Sequence, residues 1–320
     1  MTKVYLTAQM PALVEKTLAD NQLTVGVYQG DGLISHAELL TEAATADFLI
    51  TTLSTQVDQA IIDSAPNLKL IANFGAGFNN IDVDYAKSKG ILVTNTPKVS
   101  TNAVSELTFG LILALSHRIV EGDQQMRQTG FPGWAPLYFL GHEIAGKTLG
   151  IFGLGNIGRE VAKKATALGM KVIYFSRHRL DTETEQALQV TYHPFESLIK
   201  VSDFISINAP LTPQTQHQFD AAVFKQMKPT AMLINVGRGP IVDEAALLTA
   251  LQDQQLAGAA LDVYENEPDV DAGFKALKNV ILTPHIGNAT VEARDAMAEI
   301  VANNVLLSSH DDTPKFVVNP

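Results

Sequence analysis

Four short segments carry side chains whose types and spacing could do chemistry. In Gly153-x-Gly155-x-x-Gly158 the first glycine permits a tight turn, the second lets backbone approach a pyrophosphate, and the third lets a helix pack close to a strand. The anion would meet the unpaired N–H groups and the positive end of that helix. In Asn235-Val236-Gly237-Arg238-Gly239 an arginine between two glycines is poorly explained by packing. Its planar fork could grip a carboxylate through two hydrogen bonds and polarise an adjacent carbonyl. Leu261–Pro268 fixes Glu267 directly before a proline, and Thr283-Pro284-His285-Ile286-Gly287 sets a titratable imidazole on a turn. Taken singly, the last three also read as a surface ion pair or a satisfied turn histidine.

The elements that must hold these residues follow from patterning. In the first part of the chain, β-rich runs at Val4–Thr7, Thr24–Tyr28, Asp47–Thr51, Leu68–Phe74 and Ile91–Asn95 alternate with helix-like stretches at Ala12–Asp20, His36–Ala44, Gln59–Ser64 and Val83–Lys89. Such alternation means a parallel sheet covered by helices on both faces. After Thr96-Pro97, Ser100 or Thr101 could cap one long helix running to about Met126, with the apolar Leu107–Leu115 stretch buried. A Gly- and Pro-rich loop, Gly130–Pro136, holds Trp134, the chain's single tryptophan, and the glycine fingerprint comes after it. Six strands are then expected: Thr148–Phe152, Lys171–Phe175, Asp203–Asn208, Ala231–Val236, Gly258–Val263 and Val280–Thr283, as two mononucleotide-binding halves require. The fold class is α/β with two doubly wound parallel-sheet domains. Residues 100–289 form the NAD(P)-binding domain. Residues 1–99 and 290–320 form a discontinuous substrate-binding domain, to which a final helix at about Thr290–Leu307 returns.

The second strand also bears on the cofactor. An NAD-preferring turn places an acid at its end, to bind the ribose 2′-OH. Here the run is Tyr174-Phe175-Ser176-Arg177-His178-Arg179. A serine hydroxyl and two guanidinium forks suit a 2′-phosphate, which a carboxylate would repel. NADP(H) is therefore favoured over NAD(H), with Ser176, Arg177 and Arg179 as its 2′-phosphate contacts.

Composition excludes several classes. The net charge of −11 argues against nucleic acid, whose phosphates need clustered Lys and Arg. With no cysteine, disulfides and thiolate metal sites are impossible, which suits a cytoplasmic protein. The N-terminus has too short an apolar run for a signal peptide, and no stretch has the ~20 apolar residues of a membrane span. His36, His117, His142, His178, His193, His217 and His310 show no metal-ligand spacing and are read as structural.

Together the segments match a family. From about Leu68 onward the chain resembles the D-isomer-specific 2-hydroxyacid dehydrogenases, through Phe74-Gly75-Ala76-Gly77-Phe78-Asn79-Asn80-Ile81-Asp82, Gly146–Gly158, Pro210-Leu211-Thr212-Pro213 and the Arg238, Glu267 and His285 segments. Gly133-Trp134-Ala135-Pro136 and Tyr174–Arg179 look most like the glyoxylate/hydroxypyruvate reductases. The resemblance implies a Rossmann cofactor domain, a flavodoxin-like substrate domain and an active-site cleft between them. It implies that Arg238, Glu267 and His285 are catalytic, and that Gly153, Gly155, Asn156, Ile157, Gly158, Ala209, Pro210, Thr215, Val236 and Asp262 contact the cofactor, Asp262 at the nicotinamide carboxamide. Substrate contacts would be Leu53, Ser54, the N–H groups of Ala76 and Gly77, Arg238 and His285. A homodimer built on the 100–126 helix is implied as well. Asn79 departs from the pattern, where many members carry Asp.

The implied reaction is reversible hydride transfer to C2 of a small 2-oxo acid. Arg238 would bind the carboxylate and stabilise the developing alkoxide. His285 would supply the proton, with Glu267 favouring its imidazolium form. D-lactate, 3-phosphoglycerate or formate oxidation on the same scaffold is the nearest rival, although the chain leaves no room after Pro320 for a large regulatory extension. A nucleotide-sensing co-repressor is the rival of another class. It would keep the same residues, but no disordered interaction tail is evident.

Overall fold

The computed structural model describes residues 2–320. It divides into two units, residues 2–100 with 289–320, and residues 101–288.

In the first unit, β1 (Lys3–Leu6), α1 (Ala12–Asp20), β2 (Thr24–Val27), α2 (His36–Ala43), β3 (Phe48–Thr52), α3 (Gln59–Ser64), β4 (Leu70–Phe74), α4 (Val83–Ser88) and β5 (Leu92–Thr94) alternate without exception. The strands form a parallel sheet in the order β2-β1-β3-β4-β5, the flavodoxin-like order. Adjacent residues of a strand face opposite sides. Leu49 and Ile71 therefore enter one core with Leu39, Ile61 and Val93, while Phe48, Ile50, Leu70 and Ala72 enter the other. The second core is closed by α1 and by the C-terminal helix, which contributes Met297, Ala298, Val301 and Val305.

The second unit begins with α5 (Thr101–Ser116) and α6 (Ile119–Gln128). The single helix expected from Ser100 to Met126 is thus two, bent by 61°. Arg118 takes a left-handed backbone (φ +55°), which ends an α-helix, and its guanidinium is held by both carboxylate oxygens of Glu121 at 2.8 Å. Leu107 and Leu113 line the core and Leu111 and Leu115 are buried, as the apolar pattern requires. Among the described residues no single helix is long and apolar enough to cross a membrane.

The remaining elements are β6 (Thr148–Phe152), α7 (Asn156–Ala167), β7 (Lys171–Phe175), α8 (Thr182–Leu188), β8 (Val190–Tyr192), α9 (Phe195–Val201), β9 (Phe204–Ile207), α10 (Ala221–Phe224), β10 (Met232–Asn235), α11 (Glu244–Gln252), β11 (Gly258–Leu261), α12 (Ala272–Lys275) and β12 (Val280–Leu282), after which α13 (Val291–Ser309) belongs to the first unit. The strands form a parallel seven-stranded sheet ordered β12-β11-β10-β9-β6-β7-β8. Six were expected. The seventh, β8, is a three-residue edge strand paired with β7, too short to show a period. The chain order reverses between β6 and β9, and ligands bind beyond the strand carboxyl ends at such a switch point.

Candidate active site

The carboxyl ends of β10, β11 and β12 carry the three polar segments. After β10, the buried Asn235 ties its own turn together: its Nδ2 donates to the Arg238 carbonyl at 3.1 Å, and its Oδ1 accepts from the Gly237 N–H at 3.1 Å. Arg238 donates from Nη1 to the Gly237 carbonyl at 2.7 Å. Burial pushes its pKa below the usual guanidinium value, opposed by the charge of Glu267. Past β11, Glu267 follows a turn it closes itself, its Oε1 accepting from the Tyr264 N–H at 3.0 Å. Its other oxygen meets His285 Nδ1 at 2.8 Å. Burial raises the Glu267 pKa, but the bond and charge of His285, the Tyr264 N–H and the Arg238 charge outweigh it, and the net shift is downward. His285 itself sits at φ +51°, and its Nε2 has no protein partner among the described residues.

The left-handed histidine is held by Asp262. This buried carboxylate accepts from Thr283 Oγ1 at 2.6 Å and from the N–H groups of Ile286 and Gly287, each at 2.8 Å. Burial raises its pKa, and those three donors work against the rise. Tyr264 adds a second tie, its hydroxyl lying 2.9 Å from the Thr283 carbonyl. The arrangement sets a buried guanidinium, within the field of Glu267, beside an imidazole whose inner nitrogen is fixed on that carboxylate and whose outer nitrogen has no protein partner among the described residues.

The glycine turn meets the demands of a dinucleotide. Gly153 has φ +97°, and a Cβ there would stand 2.6 Å from the Ala209 nitrogen. At Gly158 a Cβ would stand 2.3 Å from the Gly153 carbonyl oxygen, whereas at Gly155 it would meet nothing within 4 Å. The turn is therefore closed against the sheet and open outward. The N–H groups of Gly155, Asn156 and Ile157 have no acceptor among the described residues, as expected of a helix start able to take a phosphate. Asn208 Nδ2, at the end of β9, is buried with no partner among the described residues. The loop after it is cross-tied by Thr215, whose Oγ1 donates to the Pro210 carbonyl at 2.8 Å.

Of the three proposed 2′-phosphate contacts, all keep some free donor capacity, and one is already part of an ion pair. Ser176 Oγ accepts from the Leu154 N–H at 2.8 Å, leaving its own proton to donate, and Arg177 is exposed with no partner among the described residues. Arg179 is partly engaged. Its Nε and Nη2 bond Glu185 at 2.9 Å, and Glu185 also accepts from Tyr174 at 2.7 Å. Arg179 Nη1 has no hydrogen-bond partner among the described residues and the side chain is 60% exposed, so the fork keeps donors beside Ser176 and Arg177.

In the first unit, the turn after β4 has its carbonyls tied inward. Gly75 accepts from the Thr96 N–H at 2.9 Å, Ala76 from Asn95 Nδ2 at 2.7 Å, and Gly77 from Asn73 Nδ2 at 2.7 Å. The N–H groups of Ala76, Gly77 and Phe78 have no acceptor among the described residues. Backbone N–H groups left free at a turn are available as donors. Leu53 lies over Gly75, where a Cβ would stand 2.2 Å from Leu53 Cδ2, and Ser54 is exposed beside it. Asn79 is exposed. The buried Asn80 instead secures this turn to the one after β3, donating to the Thr52 and Thr55 carbonyls at 3.1 and 2.8 Å.

Comparison with known proteins is decisive at the family level. Residues 109–287 match the sequence profile described as D-isomer specific 2-hydroxyacid dehydrogenase, NAD binding domain. A Staphylococcus haemolyticus protein provisionally named a 2-hydroxyacid dehydrogenase is 53% identical over 319 residues, covering 100% of both chains. The chain belongs to the D-isomer-specific 2-hydroxyacid dehydrogenase family. Among solved structures, a Thermus thermophilus protein aligns with a TM-score of 0.94 at 36% identity, covering 99% of this chain and 100% of the other. An NADPH-dependent glyoxylate/hydroxypyruvate reductase from Sinorhizobium meliloti, solved with NADP and malonate, aligns at 0.84 and 31%, covering 99% and 96%. D-lactate dehydrogenase from Escherichia coli aligns at 0.86 and 27%, covering 99% and 100%.

In this 2-hydroxyacid dehydrogenase, sequence reading singles out Arg238, Glu267 and His285, and the fold sets the last two in hydrogen-bond contact. It misses Asn235, which ties the Arg238 turn, and Asn73 and Asn95, which tie the turn after β4 in the first unit. Asn73, Asn95 and Asn235 have a visible signal, an amide at the end of an otherwise apolar run. Asp262 is expected at the cofactor alone, yet most of its hydrogen-bonding capacity serves the His285 turn.

Proposed function

We propose that the protein reduces a small 2-oxo acid, glyoxylate or hydroxypyruvate, to the 2-hydroxy acid with NADPH. The Glu267–His285 pair, on the strand ends next to Arg238, is the observation that carries this reading. The cofactor, when bound, supplies hydride from its nicotinamide C4. Gly153, Gly155, Asn156, Ile157 and Gly158 would hold the pyrophosphate, with Ala209, Pro210, Thr215 and Val236 along the strand ends. Ser176, Arg177 and the free side of the Arg179 fork would take the 2′-phosphate, and the remaining lone pair of Asp262 would take the carboxamide. Arg238 grips the substrate carboxylate and stabilises negative charge as the carbonyl oxygen becomes an alkoxide. His285 delivers its Nε2 proton to that oxygen, while Glu267 keeps the ring oriented through Nδ1. Leu53, Ser54 and the N–H groups of Ala76 and Gly77 are the proposed substrate contacts of the first unit.

A homodimer belongs to the same reading. It is supported by an exposed apolar run after α6, Phe131, Trp134, Leu137 and Leu140, in which Trp134 and Leu137 are each 85% exposed. Sedimentation would test it, and cell fractionation would test the cytoplasmic location. A D-lactate-type reaction with NADH is the second reading, favoured by the commitment of Arg179 to Glu185.

The test is NADPH and NADH oxidation in parallel against glyoxylate, hydroxypyruvate, pyruvate and phenylpyruvate. Fast turnover of the two smallest polar acids with NADPH supports the proposal. A preference for NADH and pyruvate replaces it with the second reading.

A further inference from the structure

Among the described residues three histidines pair with a carboxylate, His36 with Asp58, His217 with Glu265 and His285 with Glu267. The last two meet the same turn, Tyr264–Pro268, and only His285 has a part in the proposed reaction. His217 Nε2 lies 2.6 Å from Glu265 Oε1, 48 positions away in the chain. An ionised carboxylate only accepts hydrogen bonds, so the imidazole presents an N–H at Nε2.

The pair joins three segments of the second unit. His217 ends the loop that follows β9, in which Thr215 Oγ1 donates to the Pro210 carbonyl and accepts from the Thr212 N–H, each at 2.8 Å. The His217 N–H donates to the Pro240 carbonyl at 2.8 Å, and the Phe219 N–H to the Ile241 carbonyl at 3.1 Å. The loop is thus stitched by its backbone to the turn that carries Arg238, and by one side chain to the turn that carries Glu267. On that second turn the Glu265 N–H donates to Glu244 Oε1 at 2.8 Å. Glu265 is therefore held at backbone and side chain, two positions from Glu267.

Stability does not explain the pair. His217 takes a left-handed backbone at φ +49°, a conformation that costs energy in a residue other than glycine. An ion pair whose histidine is 42% exposed returns little of it.

We propose that His217 is a positioning residue through which the cofactor loop sets the Glu267 turn, so that NADP bound along Pro210–Thr215 aligns the Glu267–His285 pair. The inference rests on the proposed cofactor contacts of Ala209, Pro210 and Thr215. Loop and turn share the His217–Glu265 bond, so ordering the one orders the other, and the Glu267 carboxylate with it.

Two readouts keep the coupling and the reaction apart. Protein with carbon-13-labelled histidine rings is titrated with NADP, the His285 signal being assigned by its loss in His285→Gln, and the same proteins are assayed with NADPH and the four 2-oxo acids. In the wild type NADP should move the His285 signal. In His217→Ala and Glu265→Ala that movement should be lost, kcat should fall about tenfold and KM for the acids should change less than about threefold. The double variant should fall no further than either single one, because both remove the same bond. His217→Gln, whose amide can still donate to Glu265, should recover most of the kcat and of the signal movement. Calorimetry should show NADP bound by all variants, and Tm should change by less than about 2 °C, as the loss of an exposed pair implies. An unchanged kcat and signal movement in His217→Ala overturns the proposal, as do additive losses in the double variant, or a fall in Tm and kcat that glutamine does not rescue. A wild type that binds no NADP, or whose His285 signal ignores it, overturns the proposal as well. His217-dependent movement of the signal without turnover of any 2-oxo acid upholds the coupling and sinks the reaction. Turnover with a kcat independent of His217 does the reverse.

Discussion

A Cβ on Gly239 would stand 1.9 Å from the carbonyl carbon of Tyr264. The strand end that carries Arg238 and the turn that carries Glu267 therefore touch backbone to backbone, and no side chain fits between them. Gly239→Ala should force the two apart, lowering kcat/KM at least about 100-fold and lowering Tm. Gly110→Ala is the control. Nothing lies within 4 Å of a Cβ there, and alanine in a helix interior should stabilise by ~0.5–1 kcal/mol. Melting curves and steady-state kinetics of the two variants check both.

His285→Gln should lower kcat by about 10²- to 10⁴-fold, the typical worth of a positioned acid–base group, with little change in KM. Arg238→Ala should lower kcat and raise KM together, because the proposed grip acts on ground state and transition state alike. A near-wild-type kcat for His285→Gln would remove the histidine from the mechanism.

Ser176→Asp keeps an acceptor for the Leu154 N–H while setting a negative charge against a 2′-phosphate. We expect kcat/KM for NADPH to fall about 100-fold or more, and that for NADH to hold or rise. Arg177→Gln should raise the NADPH KM selectively. Arg179→Gln should instead lower Tm, since it releases Glu185. The ratio of the two cofactors' kcat/KM, set beside Tm, separates the three variants.

Asp203 gives a pH-dependent stability test. Burial raises its pKa, but the Lys228 ammonium at 2.8 Å and the Thr148 N–H at 2.8 Å bring the net shift below the usual aspartate value. A carboxyl with a lowered folded pKa stabilises above its unfolded value, ~3.9, and loses that contribution as pH falls through the folded value. Asp203→Asn should therefore cost about 1–3 kcal/mol near pH 7, with the gap closing below about pH 4. Denaturant titrations across that window measure it.

How far the molecule is legible in its sequence follows from how each feature is encoded. The strands buried on both faces write themselves as apolar runs, and Gly153–Gly158 and the Arg238, Glu267 and His285 segments carry residue types that packing does not explain. The break at Arg118 leaves no mark, because a non-glycine residue supplies the left-handed backbone where pattern reading looks for Gly or Pro. Strand β8 has three residues and no measurable period. The Arg179–Glu185 ion pair is not legible, because a strand-end arginine does not announce its partner and Glu185 lies on the following helix. The asparagines under the Ala76 and Gly77 carbonyls are invisible as a set, since Asn73 and Asn95 are brought to one turn only by the fold.

The tied carbonyls of Gly75, Ala76 and Gly77 also bear on how the protein would respond to acidity. A carboxylate held by backbone amides and guanidinium groups is held by donors that keep their protons across the whole working range. Recognition built this way is blind to pH. Capture of the proposed substrate would then hold steady as acidity changes, so capture and conversion would answer to separate controls.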